Sequence, residues 1–465
     1  MIHSLPLRRL VAGALAVAVL AGACSERGER EARKGQAAEQ EGGSESGPAT
    51  EESGPGGATP TGPAGSGTST QGTGGGPGSS SGGDGTGAGG GTSPAGPPQP
   101  ARPPGWRVIA KGPLEGRHSH SVVWTGKEMI VWGGAGRAGN AAIYLEDGAA
   151  YDPAADRWRK LPGSPLGPRA DHVAAWTGTE MLVWGGNPGK PTAFGNNEFI
   201  DGAAYDPATD KWRPMAKFPL SARFSARAVW TGRVLVVWGG ARAEDGEDAP
   251  PLADGAAYDP ARDRWSVLPD SPLAGRLSPL AAAVDGGALI SWGFNGEPGQ
   301  SLDGARFDPG PSTWAPVAPV PPTPTGWCFD LAGCVGIDIG SRVVFAGEGL
   351  VYDTNADRWA VVARSPFADP FLDGKALAWT GSRVVLWGGG RYRGEVDAPP
   401  REVARDPAGV AYDPVADRWA PLPPAPIASR ARTRAVWTGA EFVVWGGEGT
   451  ENERTQHADG AAWTP

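Results

Sequence analysis

Residues 172–186 read His-Val-Ala-Ala-Trp-Thr-Gly-Thr-Glu-Met-Leu-Val-Trp-Gly-Gly, and residues 205–212 read Tyr-Asp-Pro-Ala-Thr-Asp-Lys-Trp. The first stretch holds two short apolar runs split by Thr177-Gly178, a pair suited to a tight turn. The second run, 181–184, is apolar throughout, as expected of a strand covered on both faces. A third strand begins at 203–205. Asp206-Pro207 through Asp210 then turns the chain, because proline cannot donate to a ladder and aspartate readily caps a turn. Trp212 opens a fourth strand. Four short strands thus make one unit, and nothing in this region keeps a helical period.

The frame recurs seven times after residue 104. Its first mark falls at Trp132-Gly133-Gly134, Trp184-Gly185-Gly186, Trp238-Gly239-Gly240, Trp292-Gly293, Phe345-Ala346-Gly347, Trp387-Gly388-Gly389 and Trp445-Gly446-Gly447. Tyr151, Tyr205, Tyr258, Phe307, Tyr352 and Tyr412 are each followed seven residues on by a tryptophan: Trp158, Trp212, Trp265, Trp314, Trp359 and Trp419. A unit this short cannot bury its own apolar surface and must stack on copies of itself. The last copy ends at Trp463 without its fourth strand, and the missing tryptophan is Trp106, ahead of the first full copy. The expectation is a ring closed by its N-terminal strand, which leaves no sheet edge unpaired.

Diglycine after an apolar strand, then Tyr, then Trp at fixed spacing resembles the kelch repeat family. The resemblance covers residues 106–465 and implies an all-β, seven-bladed propeller of four-stranded blades, with strand a lining the axis. Blade 5, with its altered diglycine and nearly absent b–c loop, is expected to be the least regular.

Ahead of the repeats, Arg8-Arg9, an apolar stretch over 10–20 and Ala21-Gly22-Ala23-Cys24 form a secretory signal, too short to span a bilayer at about 20 residues. Cys24 after small residues resembles the bacterial lipoprotein signal. That implies a lipid anchor in the membrane and an exported protein. Residues 25–104 are rich in Gly, Ser, Pro and Glu and cannot offset ordering entropy by apolar burial, so a disordered linker is expected there. The domain reading is therefore 1–24 signal, 25–104 linker and 105–465 propeller. Cys328 and Cys334 are the other two cysteines and form a candidate disulfide in an oxidising compartment. A net charge of −9 and a pI near 5.3 argue against nucleic acid, which wants a basic footprint. A monomer is expected.

Strands alternate direction, so the a–b and c–d turns share one face of the ring and the d–a and b–c connections share the other. Only the second face varies in length, at 135–146, 187–200, 241–253, 390–409 and 448–458, and variable loops on a rigid scaffold commonly carry binding. Candidate ligand residues at the channel mouth are Arg117, His118, Arg169, Arg223, Arg276, Arg430, Asn196, Asn197, Arg391 and Arg393. The arginines suit an anionic ligand. Asp147, Asp201, Asp254, Asp303 and Asp459 recur at the same period, however, and structural ion pairing is the favoured role. His120 and His172 are repeat-equivalent and read as packing histidines. His118, His457 and Asp459 do not by spacing demand a metal.

No P-loop or His-Glu-x-x-His occurs, and the repeats contain no Gly-x-Ser-x-Gly elbow. A copper radical oxidase of the galactose oxidase type needs a Cys–Tyr crosslink with further Tyr and His ligands, and this chain supplies no adjacent tyrosine–histidine pair. The reading is a non-enzymatic module, without cofactor or metal, that binds a protein or glycan. The alternatives are a carbohydrate-active enzyme, resembling sialic acid mutarotases or metal-dependent, and an envelope scaffold.

Overall fold

In the computed structural model the described residues all belong to one compact unit, within Gly78–Pro465. The structure describes residues 102–465 except 140, 189–198, 246–248, 294–300, 322–335, 347–348, 364–371, 374, 392–407 and 450–454. Cys24, Asn196, Asn197, Cys328, Cys334 and Arg393 lie outside the described residues.

Seven four-stranded antiparallel sheets, each in the order a-b-c-d, make the blades. Blade 1 is Ser121–Trp124, Met129–Trp132, Gly148–Asp152 and Arg157–Lys160. Blade 2 is Val173–Trp176, Met181–Trp184, Gly202–Asp206 and Lys211–Pro214. Blade 3 is Arg227–Trp230, Leu235–Trp238, Gly255–Asp259 and Arg264–Val267. Blade 4 is Leu280–Val284, Gly287–Gly293, Ser301–Asp308 and Thr313–Val317. Blade 5 is Ile337–Asp338, Arg342–Phe345, Leu350–Asp353 and Arg358–Val361. Blade 6 is Ala376–Trp379, Val384–Trp387, Ala408–Asp413 and Arg418–Pro424. Blade 7 takes Arg434–Trp437, Phe442–Trp445 and Gly460–Thr464 from the C-terminal end and Gly105–Val108 from the N-terminal end.

The ring closes as the repeat count requires. Gly105 pairs with Thr464, Trp106 with Trp463, Arg107 with Ala462 and Val108 with Ala461. Every apolar cluster is shared by two neighbouring blades, from Trp124, Val131 and Trp445 across blades 7 and 1 to Trp387, Phe442 and Trp463 across blades 6 and 7. Strand b is buried at all four positions in blades 1, 2, 3, 6 and 7, which is why its sequence shows no alternation.

The invariant strand-d tryptophan is an inter-blade latch. Its indole N–H donates to a carbonyl at or just past the end of strand d of the preceding blade: Trp106 to Pro423 at 2.8 Å, Trp158 to Ala110 at 2.8 Å and Trp419 to Ala363 at 2.7 Å. Trp212, Trp265, Trp314 and Trp359 do the same. Five residues after the strand-c tyrosine an aspartate accepts that tyrosine's hydroxyl proton, as in Tyr151–Asp156 at 2.5 Å and Tyr205–Asp210 at 2.6 Å.

Blades 4 and 5 depart from the sequence frame by one residue. Ala288 faces Phe307 and Val343 faces Tyr352, as Met129 faces Tyr151. The places of Trp132 are therefore taken by Ser291 and Ala346, not by Trp292 and Phe345. Phe345 occupies the position of Val131, and Gly336 makes room for it: a Cβ at Gly336 would lie 2.7 Å from the Phe345 ring.

Candidate functional site

The site begins with a local kink. Two residues after each collar arginine the backbone turns into the left-handed region, at Ser119 (φ 51°), Asp171 (53°), Ser225 (54°), Ser278 (45°) and Arg432 (51°). None is glycine, so each holds a conformation that L-residues reach only at some cost. The kink lets the segment before strand a pair with the segment after the diglycine, through bridges such as His118–Ala135 and Ala170–Asn187. Short ribbons Arg223–Phe224 with Ala241–Arg242 and Arg430–Ala431 with Glu448–Gly449 repeat the arrangement. The second glycine permits it, since a Cβ on Gly134 (φ 102°) would meet the His118 carbonyl at 2.7 Å.

Below the kinks sits the arginine collar. Arg117 donates to Asp147 at 2.8 Å, Arg169 to Asp201 at 2.7 Å, Arg223 to Asp254 at 2.9 Å, Arg276 to Asp303 at 2.6 Å and Arg430 to Asp459 at 2.6 Å. The first three also donate to the carbonyl of the first glycine of the pair, Gly133, Gly185 and Gly239. The guanidinium groups are buried, while their aspartates stay about half exposed, for example 0% against 53% for Arg117 and Asp147. Burial raises the Asp459 carboxyl, but hydrogen bonding and charge from Arg430 outweigh it and hold the group below the usual carboxylate range. The collar is a set of ion pairs whose solvent-facing member is the carboxylate, so its arginines are not presented as a basic surface.

The kink residues line the same face above the collar, and sequence reading passed over them. Asp171 is exposed, and Ser225, Ser278 and Arg432 are partly exposed. Arg432 lies 3.5 Å from Glu448, which lies 3.5 Å from His118 Nε2. His118 Nδ1 is 3.1 Å from the Ser119 hydroxyl. Burial lowers the His118 pKa against the pull of Glu448, so the neutral ring is favoured. The rim offers hydroxyl, carboxylate, guanidinium and imidazole groups, a hydrogen-bonding surface rather than an apolar one. The signal that could have found it is positional: a small or charged residue always two places after the collar arginine.

His120 and His172 pack edge-on against Trp445 and Trp132 of the preceding blades. His172 Nε2 lies 2.8 Å from the Ser121 hydroxyl. Burial, helped by Arg169 and Arg434, pushes its pKa down to about 3. Such a ring is a poor general base at neutral pH. His457 stands 3.7 Å from Asp459, and among the described residues no three potential ligands are grouped for a metal. Arg391 falls in a two-residue strand, Gly390–Arg391, paired with Leu372–Asp373.

Residues 106–283 match the family model of the KLHDC2/KLHL20/DRC7 Kelch-repeats domain. Similar curated proteins include the human Kelch-like protein 34, 26% identical over 60% of this chain and 43% of that protein. The Kelch-like protein terF of Aspergillus terreus is 30% identical over 28% of this chain and 29% of that protein. N-acetylneuraminate epimerase 1 of Escherichia coli is 25% identical over 40% of this chain and 58% of that protein. The chain spans less than two thirds of the length of each of these relatives. A solved structure titled "Structure of YjhT" aligns at a TM-score of 0.43 and 15% identity, over 77% of this chain and 95% of that one.

Proposed function

We propose that this kelch-repeat β-propeller protein is an exported, lipid-tethered module that binds a protein or glycan through the face carrying its variable loops. One observation carries the reading: the two faces are built differently. On one, short uniform turns are tied down by Tyr–Asp–Arg networks such as Arg159 to Tyr205 and Asp210. On the other, a rim of strained polar residues stands among loops of unequal length, where ligand recognition is commonly found. Kelch domains generally mediate protein interactions, which supports a protein ligand.

Envelope crosslinking and a glycan array test this together. Arg432→Ala with Asp171→Ala should abolish capture, and Lys127→Ala on the opposite face should retain it; retention by the rim variant would remove the assignment. For the tether, Cys24→Ala should shift the protein from the membrane to the soluble fraction, and unchanged membrane retention would refute lipidation.

A second reading, a carbohydrate-active enzyme, is favoured by the match to the epimerase. Anomer and epimer exchange on acidic amino sugars by the purified propeller would support it. An unaltered exchange rate would retire it.

A further inference from the structure

In five blades strand a ends on a tryptophan packed between that blade and the one before: Trp124, Trp176, Trp230, Trp379 and Trp437. In blades 4 and 5 the register gives that place to other residues. Ala283 faces Ala288 and Asp338 faces Val343, as Trp124 faces Met129. Blade 5 also has a strand a of only two residues, Ile337–Asp338.

A second reinforcement is missing from the same sector. Arg107, Arg159 and Arg213 each fork onto a glutamate of their own blade, Glu441, Glu128 and Glu180, at 2.6–3.0 Å. Each also reaches a tyrosine hydroxyl of the next blade, Tyr151, Tyr205 and Tyr258. These clamps join blades 7, 1, 2 and 3. At the same strand-d place blades 3 to 6 carry Ser266, Ala315, Ala360 and Ala420. Among the described residues blades 4 and 5 are held by one apolar cluster, a Gly336 to Ala281 backbone bond of 3.2 Å, a bond of 2.8 Å from the Ala318 N–H to Asp357 and the Trp359 latch. This interface lacks, among the described residues, both the indole and the clamp; that of blades 3 and 4 lacks them too, but there strand a keeps five residues, Leu280–Val284, against two in blade 5.

In place of the indole stands a carboxylic acid. Asp338 accepts from the Gly340 N–H at 2.8 Å. Burial raises its pKa to about 6, the Gly340 bond lowers it, and Asp285 of blade 4 raises it again. Around it blade 4 presents Asp285 ion-paired with Arg306 at 3.3 Å. Its own blade adds Arg342, turned to the Pro414 carbonyl, and the Tyr352–Asp357 pair. The facing turns of blade 6 carry Arg383, Asp413 and Asp417.

We propose that the interface of blades 4 and 5 is the opening seam of the ring, and that ionisation of Asp338 governs how readily it opens. Protonated Asp338 is a neutral group at the register position where five blades carry an indole. Ionised, it is a half-buried charge beside a second carboxylate, and opening hydrates it fully. An acid with a raised folded pKa stabilises below its unfolded pKa near 4 and loses that contribution as pH rises through the folded value. The seam is therefore tight in acid and loose above about pH 6.

Hydrogen exchange on the intact protein, corrected for intrinsic rates, tests this. Peptides covering 280–293 and 337–361 should open before those of blades 7, 1 and 2, with an opening constant about tenfold larger at pH 7.5 than at pH 5. Asp338→Asn should abolish that pH dependence. Asp285→Asn, which leaves Asp338 in place, should move its midpoint to lower pH. Equal or greater protection in blades 4 and 5 would overturn the seam. An unchanged pH profile in Asp338→Asn would overturn the role of the carboxyl.

Discussion

Each repeated residue has its own identifiable partners, which makes substitution effects separable. Trp158→Phe keeps the ring packing and removes the bond to Ala110, so a loss of about 1 kcal/mol is expected in urea denaturation. A full Trp→Ala penalty of several kcal/mol from that conservative change would show that the hydrogen bond is not what the indole supplies. His172 predicts a pH response. Its folded pKa, held down near 3 by burial and by Arg169 and Arg434, lies below the unfolded value near 6.5. The unfolded state takes up the proton first, so stability rises with pH between those values and falls as acid is added, by up to about 1.4 kcal/mol per pH unit for this ring. Denaturation midpoints at pH 7.5 and 5.5 should fall less steeply in His172→Gln than in the wild type; parallel slopes would assign the acid sensitivity elsewhere.

At the scale of strands, the terminal segment Gly105–Val108 is what seals the ring. Its loss leaves blade 7 with three strands and the edge of Gly460–Thr464 unpaired, and removes the Trp106 latch and the Arg107 clamp. A chain beginning at residue 112 should lose roughly 3 kcal/mol or more and self-associate through that edge. Calorimetry with size-exclusion chromatography checks this, and an unaltered melting temperature with a monomeric profile would contradict it. The closure was legible in sequence because Trp106 and Trp463 are displaced members of a counted series. Fully apolar strand b was legible for the same reason, since burial on both faces leaves no alternation. Blades 4 and 5 were not. There the nearest aromatic, Trp292 or Phe345, lies one residue from the place of Trp132, and only backbone pairing separates the two registers. The rim escaped as well, because left-handed backbone at serine, aspartate or arginine leaves no compositional mark.

Across the whole molecule, charge is segregated by role. The recurring arginines and aspartates of the collar tie the d–a to the b–c segments in blades 1, 2, 3, 4 and 7, and in blades 1, 2 and 3 the arginine also holds the diglycine corner. The kink residues above, apart from the buried Ser119, are left at least partly exposed on a fixed scaffold. That division is the basis for assigning recognition to the rim and cohesion to the collar. It also explains why an arginine series suggestive of an anion site in sequence presents carboxylates to solvent once folded. Equilibrium urea denaturation of Arg169→Ala beside Asp171→Ala, without any ligand, tests the division most directly. Removing Arg169 strips buried hydrogen bonds to Gly167, Gly185 and Asp201 and should lower stability by about 2–4 kcal/mol, whereas Asp171→Ala should stay within about 0.5 kcal/mol of the wild type. A wild-type midpoint for Arg169→Ala would contradict the account and return the arginines to the ligand.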